Sequence, residues 1–374
     1  MIDTKDFFMH LVQCGFDFFT GVPDSLLKSL CACICDNSDK AKNITAANEG
    51  NAVGLASGYY LAKGKPAVVY MQNSGIGNAV NPLLSLTDRE VYSIPLLMIV
   101  GWRGEPDTTD EPQHRKQGKV TRELFDVMGI ESVILDDNYR EKINYCIEYM
   151  KKQSSPIALI VRRNTFSEYN YCRNKSPYQL TREQAIEILI ENISNNDIVV
   201  STTGKTSREL FELREKKKMS HSGDFLTVGS MGHTSSIALG ISLFSDRTVY
   251  CIDGDGSFIM HMGSAAVNAQ NMGDNFKYVI INNGAHESVG GQPTAGFDID
   301  ISGILKSCGF DNVYTASDEF NLRKKIKLMK NNKRSAMVIF TKQGSRSGLK
   351  RPTTSPDENK SALMENLKNE SFDF

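Results

Sequence analysis

Asp255 and Asn283 are the residues whose types and spacing most directly suggest chemistry. Asp255 stands in CIDGDGSF just after one short apolar run, and Asn283 stands in KYVIINNGAHES just after the next, 28 positions later. That separation accommodates one crossover helix, so both residues are expected at the carboxyl ends of neighbouring parallel strands, where open α/β sheets bind their ligands. A carboxylate and an amide oxygen placed there offer two hard ligands to Mg²⁺, and the turn beyond Asn283 can add a backbone carbonyl. Mg²⁺ takes its remaining oxygens from phosphate and water, so the pair points to a metal-anchored diphosphate. Gly254 and Gly256 permit a tight turn and a close approach of backbone to phosphate. Two rival readings fail on nearby residues. Asp253, Asp255 and Ser257 imitate the opening of an EF-hand, but Phe258 stands where its glycine belongs and Ser264 where its glutamate belongs. GSGIGNAV, with Gly75 and Gly77, lacks the third glycine and the following acid of a dinucleotide-binding turn. A plain turn at DGDG remains open on this segment alone.

The elements that must position these residues are short apolar runs bounded by turn residues, at 66–73, 93–101, 155–163, 196–202, 247–254 and 276–283. Such runs read as buried parallel strands. Helical patterns lie between them, at 50–61, 78–87, 140–150, 182–193 and 260–272, and this alternation argues for open, mostly parallel sheets with helices on both faces. A polar stretch at 167–180 interrupts the pattern, and Thr181 with Gln184 then makes a capping box that opens a new helix. The chain is accordingly divided into a domain at 1–170, a linker at 171–180 and a domain at 181–374, with no short sequence repeat. Residues 343–374 are polar and turn-rich with a weakly helical piece at 361–367, read as a solvated tail or as a lid.

The 374 residues carry 43 Lys+Arg against 44 Asp+Glu, a formal net charge of -1, so no bulk field favours nucleic acid or an anionic membrane. With 40% hydrophobic and 23% charged residues the chain reads as folded and globular. Its first residues lack the basic and apolar regions of a signal peptide, and no apolar run approaches a membrane span. Eight cysteines are then read as reduced thiols of a cytoplasmic protein. Cys31, Cys33 and Cys35 are spaced unlike zinc ligands and read better as small apolar residues of a helix. The sequons at Asn43 and Asn192 carry no meaning inside a cell.

GDGS followed at a distance by NN resembles the motif of thiamine-diphosphate enzymes of the pyruvate decarboxylase and acetolactate synthase type. That resemblance implies Mg²⁺ held by the side chains of Asp255 and Asn283 and by the carbonyl of Ala285, with Gly204, Ser230, Gly254, Gly256 and Ser257 binding the cofactor. VGSMGHTSSIALG is similar to the stretch in which a bulky apolar residue, here Met231, props thiamine diphosphate in its bent form; by itself Met231 reads equally as core. In ITAANEGNAVGLASGYYLAKG, Glu49 opens a helix lined by Gly50, Gly54 and Gly58. Alone it is a first-turn glutamate favoured by the helix dipole. By the resemblance it faces N1′ of the aminopyrimidine and shares a proton with that ring.

The resemblance covers essentially the whole chain. It implies a pyrimidine-binding domain at 1–170 and a diphosphate-binding domain at 181–374, without the middle domain of the longer decarboxylases. GVPDS (21–25), NSGIGNAVNPL (73–83), GWRGEPDTTDEPQH (101–114), HESVGGQPT (286–294) and RPTTSP (351–356) resemble the branch that acts on phosphonopyruvate and sulfopyruvate. The implied reaction converts a small-molecule 2-oxo acid bearing a phosphonate, 3-phosphonopyruvate, to phosphonoacetaldehyde and carbon dioxide in phosphonate biosynthesis. Sulfopyruvate decarboxylation and an acetolactate-synthase-like carboligation are the alternatives, and the joint presence of Glu49, Asp255 and Asn283 speaks against a non-catalytic relative. A phosphonate dianion needs cations, for which Arg103, Lys205 and Arg351 are candidates. His114 and Asp24 lie in segments where relatives keep proton-handling side chains. Ser25 competes with Asp24, because the aspartate of the longer relatives stands two positions after the proline whereas Asp24 follows Pro23 directly. His286, next to the metal turn, either faces substrate or is structural. Since Glu49 and the metal residues fall in different domains, a homodimer or higher homo-oligomer with sites at its interface is expected, with no nucleic-acid or membrane partner.

Overall fold

The computed structural model describes residues 1–170 and 176–368, so half of the expected linker, 171–175, lies outside the described residues. The described chain forms two compact units, one of residues 1–170 with Ser288–Gln292 and one of residues 176–287 with 293–368.

In the first unit, strands β1 (Phe19–Gly21), β2 (Asn43–Thr45), β3 (Val68–Gln72), β4 (Leu97–Gly101), β5 (Glu131–Ile134) and β6 (Ile157–Val161) form a parallel sheet in the order β2-β1-β3-β4-β6-β5. Helices α1 (Thr4–Gln13), α2 (Lys28–Asn37), α3 (Glu49–Lys63), α4 (Ile76–Pro82), α5 (Pro112–Val127) and α6 (Tyr139–Gln153) cover it. Alternate strand residues point to opposite faces. Val68, Tyr70, Leu97, Ile99, Ile157 and Leu159 therefore pack with Phe7 and Leu11 of α1 and Leu30 of α2. Val69, Met71, Met98, Val100 and Ile160 pack with Val53 of α3 and Phe125 of α5. Burial on both faces is why these strands read as unbroken apolar runs. Each such side chain adds about 1.5–3 kcal/mol when fully buried.

The second unit repeats the plan. Strands β7 (Ile198–Ser201), β8 (Asp224–Leu226), β9 (Val249–Gly254), β10 (Phe276–Asn282), β13 (Asn312–Ala316) and β14 (Ser335–Phe340) make a parallel sheet in the order β13-β14-β10-β9-β7-β8. The two-residue strands β11 (Ala285–His286) and β12 (Gln292–Pro293) fall between β10 and β13. The helices are α7 (Arg182–Asn192), α8 (Lys205–Lys217), α9 (Thr234–Leu243), α10 (Asp255–Met260), α11 (Ser264–Asn271), α12 (Ile301–Cys308), α13 (Glu319–Asn331) and α14 (Pro356–Lys368). Counted from its first strand, each sheet has the same order, and in each the chain reverses direction between its first and third strands. That switch point is where doubly wound sheets leave a crevice at the carboxyl ends.

Local signals account for the ends of the key helices. Asn48 caps α3 by accepting from the Asn51 N–H at 2.9 Å, and Gly64, at φ 66, ends it in the left-handed conformation. The capping box expected at Thr181 and Gln184 is present at the start of α7. Three expectations shift. The helix read over 260–272 is broken into α10 and α11 around Gly263. The one read from 78 starts at Ile76 and continues past Pro82 as a π-helical turn over Leu83–Thr87, consistent with the missing N–H of proline. The tail is not simply solvated: Leu363 of α14 enters the core, and the Asn359 amide bonds Leu226 N–H and the Asp224 carbonyl, occupying the edge of β8. Cys31 and Cys33 are core residues of α2, and the cysteines among the described residues are all free. Among the described residues, no helix is long and apolar enough to cross a membrane.

Candidate active site

In the second unit, the pairing of Gly254 with Ile281 sets the ends of β9 and β10 side by side. Asp255 opens α10 and Asn283 follows β10. The Asn283 N–H donates to Asp255 Oδ1 at 3.3 Å, and the Thr294 hydroxyl donates to Oδ2. Asp255 is 2% exposed, and among the described residues no cationic side chain pairs with it. Burial pushes its carboxyl up to about 6, with Thr294 and backbone donors opposing. The Asn283 side-chain oxygen accepts from Ala285 N–H at 3.1 Å and its amide donates to Glu287 at 2.8 Å.

The remaining cofactor candidates gather on this turn. Ser257 Oγ accepts from Gly232 N–H at 3.0 Å and lies 3.3 Å from the Thr202 hydroxyl, tying the segments after β7 and β8 to α10. Ser230, at φ 51, and Gly232, at φ 87, are left-handed, and they flank Met231. A methyl group on Gly256 would lie 3.1 Å from the His286 ring and 3.4 Å from Met231 Cε, so glycine keeps that space open. Desolvation holds the His286 imidazole down to about 4. Gly204, at φ 93, caps α8, and Lys205 pairs with Glu287 at 3.1 Å. Arg351 is exposed on the segment between β14 and α14.

In the first unit, a second constellation forms at the carboxyl ends of β1, β3 and β4. Asp24 is fully buried and accepts from Gln72 Nε2 at 2.5 Å and Leu26 N–H at 2.9 Å. Burial pushes its carboxyl up, against the pull of Gln72, Leu26 and Arg103. A methyl on Gly101 would stand 2.1 Å from Asp24 Oδ2, so the end of β4 admits this carboxylate only as glycine. Arg103 donates Nη1 to Ser25 Oγ at 2.8 Å and grips Asp110 through Nε at 2.8 Å and Nη2 at 2.5 Å. His114 is 8% exposed; burial first, then the Arg103 charge, holds it down to about 4, and its Nδ1 has no hydrogen-bond partner. Glu49, 5% exposed, is the first residue of α3 and accepts from Asn78 Nδ2 at 2.8 Å. The structure thus gathers Asp24, Ser25 and Arg103, with His114 close enough to feel the Arg103 charge.

Sequence reasoning missed Gln72, Asp110, Thr294, Arg182, Glu209 and Glu287. Gln72 carried a signal, because a polar residue closes the β3 run. The pairing of Arg182 with Glu209 across α7 and α8 carried none.

Residues 4–128 match the family described as "Thiamine pyrophosphate enzyme, N-terminal TPP binding domain", and residues 202–340 match "Thiamine pyrophosphate enzyme, C-terminal TPP binding domain". The chain belongs to the thiamine-diphosphate-dependent enzymes. Within them it sits with decarboxylases. It is 33% identical over 334 residues to a phosphonopyruvate decarboxylase of Streptomyces hygroscopicus, covering 84% of this chain and 81% of that protein. It is 31% identical over 379 residues to a phosphonopyruvate decarboxylase of Streptomyces viridochromogenes, covering 96% and 93%. A sulfopyruvate decarboxylase of Methanosarcina acetivorans is 29% identical over 325 residues, covering 80% and 81%. For a thiamine-diphosphate decarboxylase the second unit has suitable chemistry: a buried carboxylate with no paired cation among the described residues, an amide oxygen beside it, and a glycine-kept space beside Met231.

Proposed function

We propose that this enzyme decarboxylates 3-phosphonopyruvate to phosphonoacetaldehyde and carbon dioxide, as a step of phosphonate biosynthesis, using thiamine diphosphate anchored by Mg²⁺. The observation that carries the substrate is the likeness, over most of the chain, to two proteins named for that acid. Asp255 and Asn283 through their side chains and Ala285 through its carbonyl would hold Mg²⁺, a hard oxygen set suited to that ion. Gly204, Ser230, Gly254, Gly256 and Ser257 would line the diphosphate, and Met231 would support the rings. When bound, the cofactor supplies a carbon nucleophile and a sink for the electrons released with carbon dioxide.

The chain's own residues supply positions and protons. Glu49, buried and oriented by Asn78, would exchange a proton with the pyrimidine nitrogen. Asp24, whose carboxyl burial raises, would handle a proton beside the substrate, and Ser25 would relay contact from the Arg103 guanidinium. His114 and His286, both held neutral by desolvation, would accept or donate hydrogen bonds without adding charge. Arg103, Lys205 and Arg351 are the candidate cations for the phosphonate, the first two already holding Asp110 and Glu287. We take residues 1–170 as the pyrimidine-binding half and 181–374 as the diphosphate-binding half. The active form is read as a cytoplasmic homodimer or higher homo-oligomer whose sites lie at the interface.

Side-by-side turnover of phosphonopyruvate and sulfopyruvate, read as carbon dioxide release, tests the substrate. The sulfonate reading is favoured by the Methanosarcina relative. A higher kcat/KM for sulfopyruvate would replace the phosphonate assignment, and a condensed product formed with an added aldehyde would reveal a carboligase. Light scattering that finds a fully active monomer would defeat the interfacial site.

A further inference from the structure

Behind Asn283 lies a buried charge cluster. Arg182, 5% exposed, grips Glu209 with Nε at 2.6 Å and Nη2 at 2.7 Å, and donates Nη1 to Glu287 Oε2 at 3.1 Å. Lys205 Nζ reaches Glu287 Oε1 at 3.1 Å. Two cations and two carboxylates therefore balance. Each oxygen of Glu287 thus meets a cation, Arg182 at one and Lys205 at the other, and such pairing holds the group as a carboxylate.

An ionised carboxylate only accepts hydrogen bonds, whereas an asparagine amide has a donating and an accepting end. Glu287 Oε2 faces the Asn283 NH₂ at 2.8 Å, and the Ala285 N–H, a donor, faces the Asn283 oxygen at 3.1 Å. Turning the amide over would set oxygen against carboxylate and NH₂ against N–H, two repulsive contacts in a buried site. We propose that Glu287 is a positioning residue, whose carboxylate, paired with Arg182 and Lys205, locks the Asn283 amide with its oxygen available to a divalent cation. This rests on the reading of Asn283 as a Mg²⁺ ligand. The amide oxygen has two lone pairs and Ala285 N–H engages one, so the other is free to ligate.

The test is calorimetric titration of Mg²⁺ into the full-length protein with excess thiamine diphosphate. Groups that orient a metal ligand typically govern affinity by about 10–100-fold, so Glu287→Gln should weaken Mg²⁺ by that factor. Asn283→Asp alone sets a second carboxylate against Glu287 and should weaken Mg²⁺ binding as well. Adding Glu287→Gln lets the amide at 287 donate to that carboxylate and should recover at least about tenfold of the affinity. A purely structural role for Glu287 would make the two losses add. Glu287→Gln leaves one uncompensated positive charge, so Glu287→Gln with Lys205→Gln serves as the charge-balanced variant if the single one melts early, and it should show the same loss. Wild-type affinity in the folded Glu287 variants, or no recovery in the double variant, overturns the proposal. A wild-type protein that binds no Mg²⁺ with thiamine diphosphate removes the ligand reading itself, and the role of Glu287 with it.

Discussion

Gly75→Ala is expected to displace Glu49, the proposed proton-exchanging residue, without replacing it. Gly75 has φ -76, which alanine adopts freely, so the backbone carries no strain. The added methyl would stand 2.3 Å from Glu49 Oε1 and 2.5 Å from its Cδ and Cγ, against an ordinary contact of at least 3.4 Å. The carboxylate must retreat by about 1.1 Å, and doing so parts it from Asn78 Nδ2, its partner at 2.8 Å. A misplacement of about 1 Å at a reacting group costs on the order of 10²-fold in rate, or about 2.7 kcal/mol in the barrier. The assay is the initial rate of carbon dioxide release at saturating cofactor and substrate, with a thermal melt to show that the fold persists. Gly77→Ala is the control two residues on, where a methyl would meet nothing within 4 Å, and it should keep the wild-type rate. A Gly75→Ala enzyme with kcat within about twofold of wild type, or a Gly77→Ala enzyme equally impaired, would refute the placement of Glu49 as the proton-exchanging group.

Asp255→Ala should abolish Mg²⁺-dependent cofactor binding, and unchanged affinity by calorimetry would contradict its assignment as a ligand. Arg103→Met leaves the Asp110 carboxylate, 4% exposed, with only the half-exposed Arg163 at 3.7 Å as cation and should destabilise the first unit by about 1–3 kcal/mol in urea unfolding; adding Asp110→Leu should restore most of that, and a single-variant loss below about 0.5 kcal/mol would show that the Arg103–Asp110 pair contributes little. His221 is raised above 6.5, first by the Asp224 carboxylate 3.7 Å from its Nδ1, with Glu215, 2.6 Å from its Nε2, adding to the shift against desolvation. Its stabilisation is therefore complete below pH 6.5 and lost as pH rises through the raised value, so the melting-temperature gap between wild type and His221→Gln should be wider at about pH 6 than at about pH 8.5. A gap independent of pH would count against the His221–Asp224 pair.

The parallel sheets were legible because β3, β4, β6, β9 and β10 are buried on both faces and so appear as uninterrupted apolar runs. The three-residue strands β1, β2 and β8 were not, because they carry too few residues for a period, and they are defined by pairing with neighbours distant in sequence. The shared strand order of the two units left no sequence repeat, since the order follows from short crossovers and apolar patterning, which many unrelated sequences satisfy. Asp255 and Asn283 could be found because each directly follows a strand, so that position in the chain translates into position at a sheet edge. Glu287 could not. Its meaning lies in Arg182, 105 positions earlier, and in Lys205, 82 positions earlier, which only the packing of α7 and α8 brings to it.

Six acids with buried side chains divide by what faces them. Glu209, Glu287, Asp110 and Asp224 each meet a guanidinium, Arg182 for the first two, Arg103 and Arg214 for the others. A carboxylate held that way is a fixed charge, poor at exchanging protons and unavailable to a metal. Asp24 and Asp255 instead accept from neutral donors, Gln72 and backbone N–H in one case, Thr294 and backbone N–H in the other, with the Arg103 charge acting on Asp24 only without a direct bond, and burial pushes both carboxyls up. Both stand just beyond the carboxyl end of a strand at the switch point of its sheet. A buried carboxyl with no cation bonded to it is costly in such a place, and binding a cation or a proton-sharing ligand there relieves that penalty. The same local cost would favour a divalent ion at Asp255 and a proton-sharing ligand at Asp24, the roles proposed for them above.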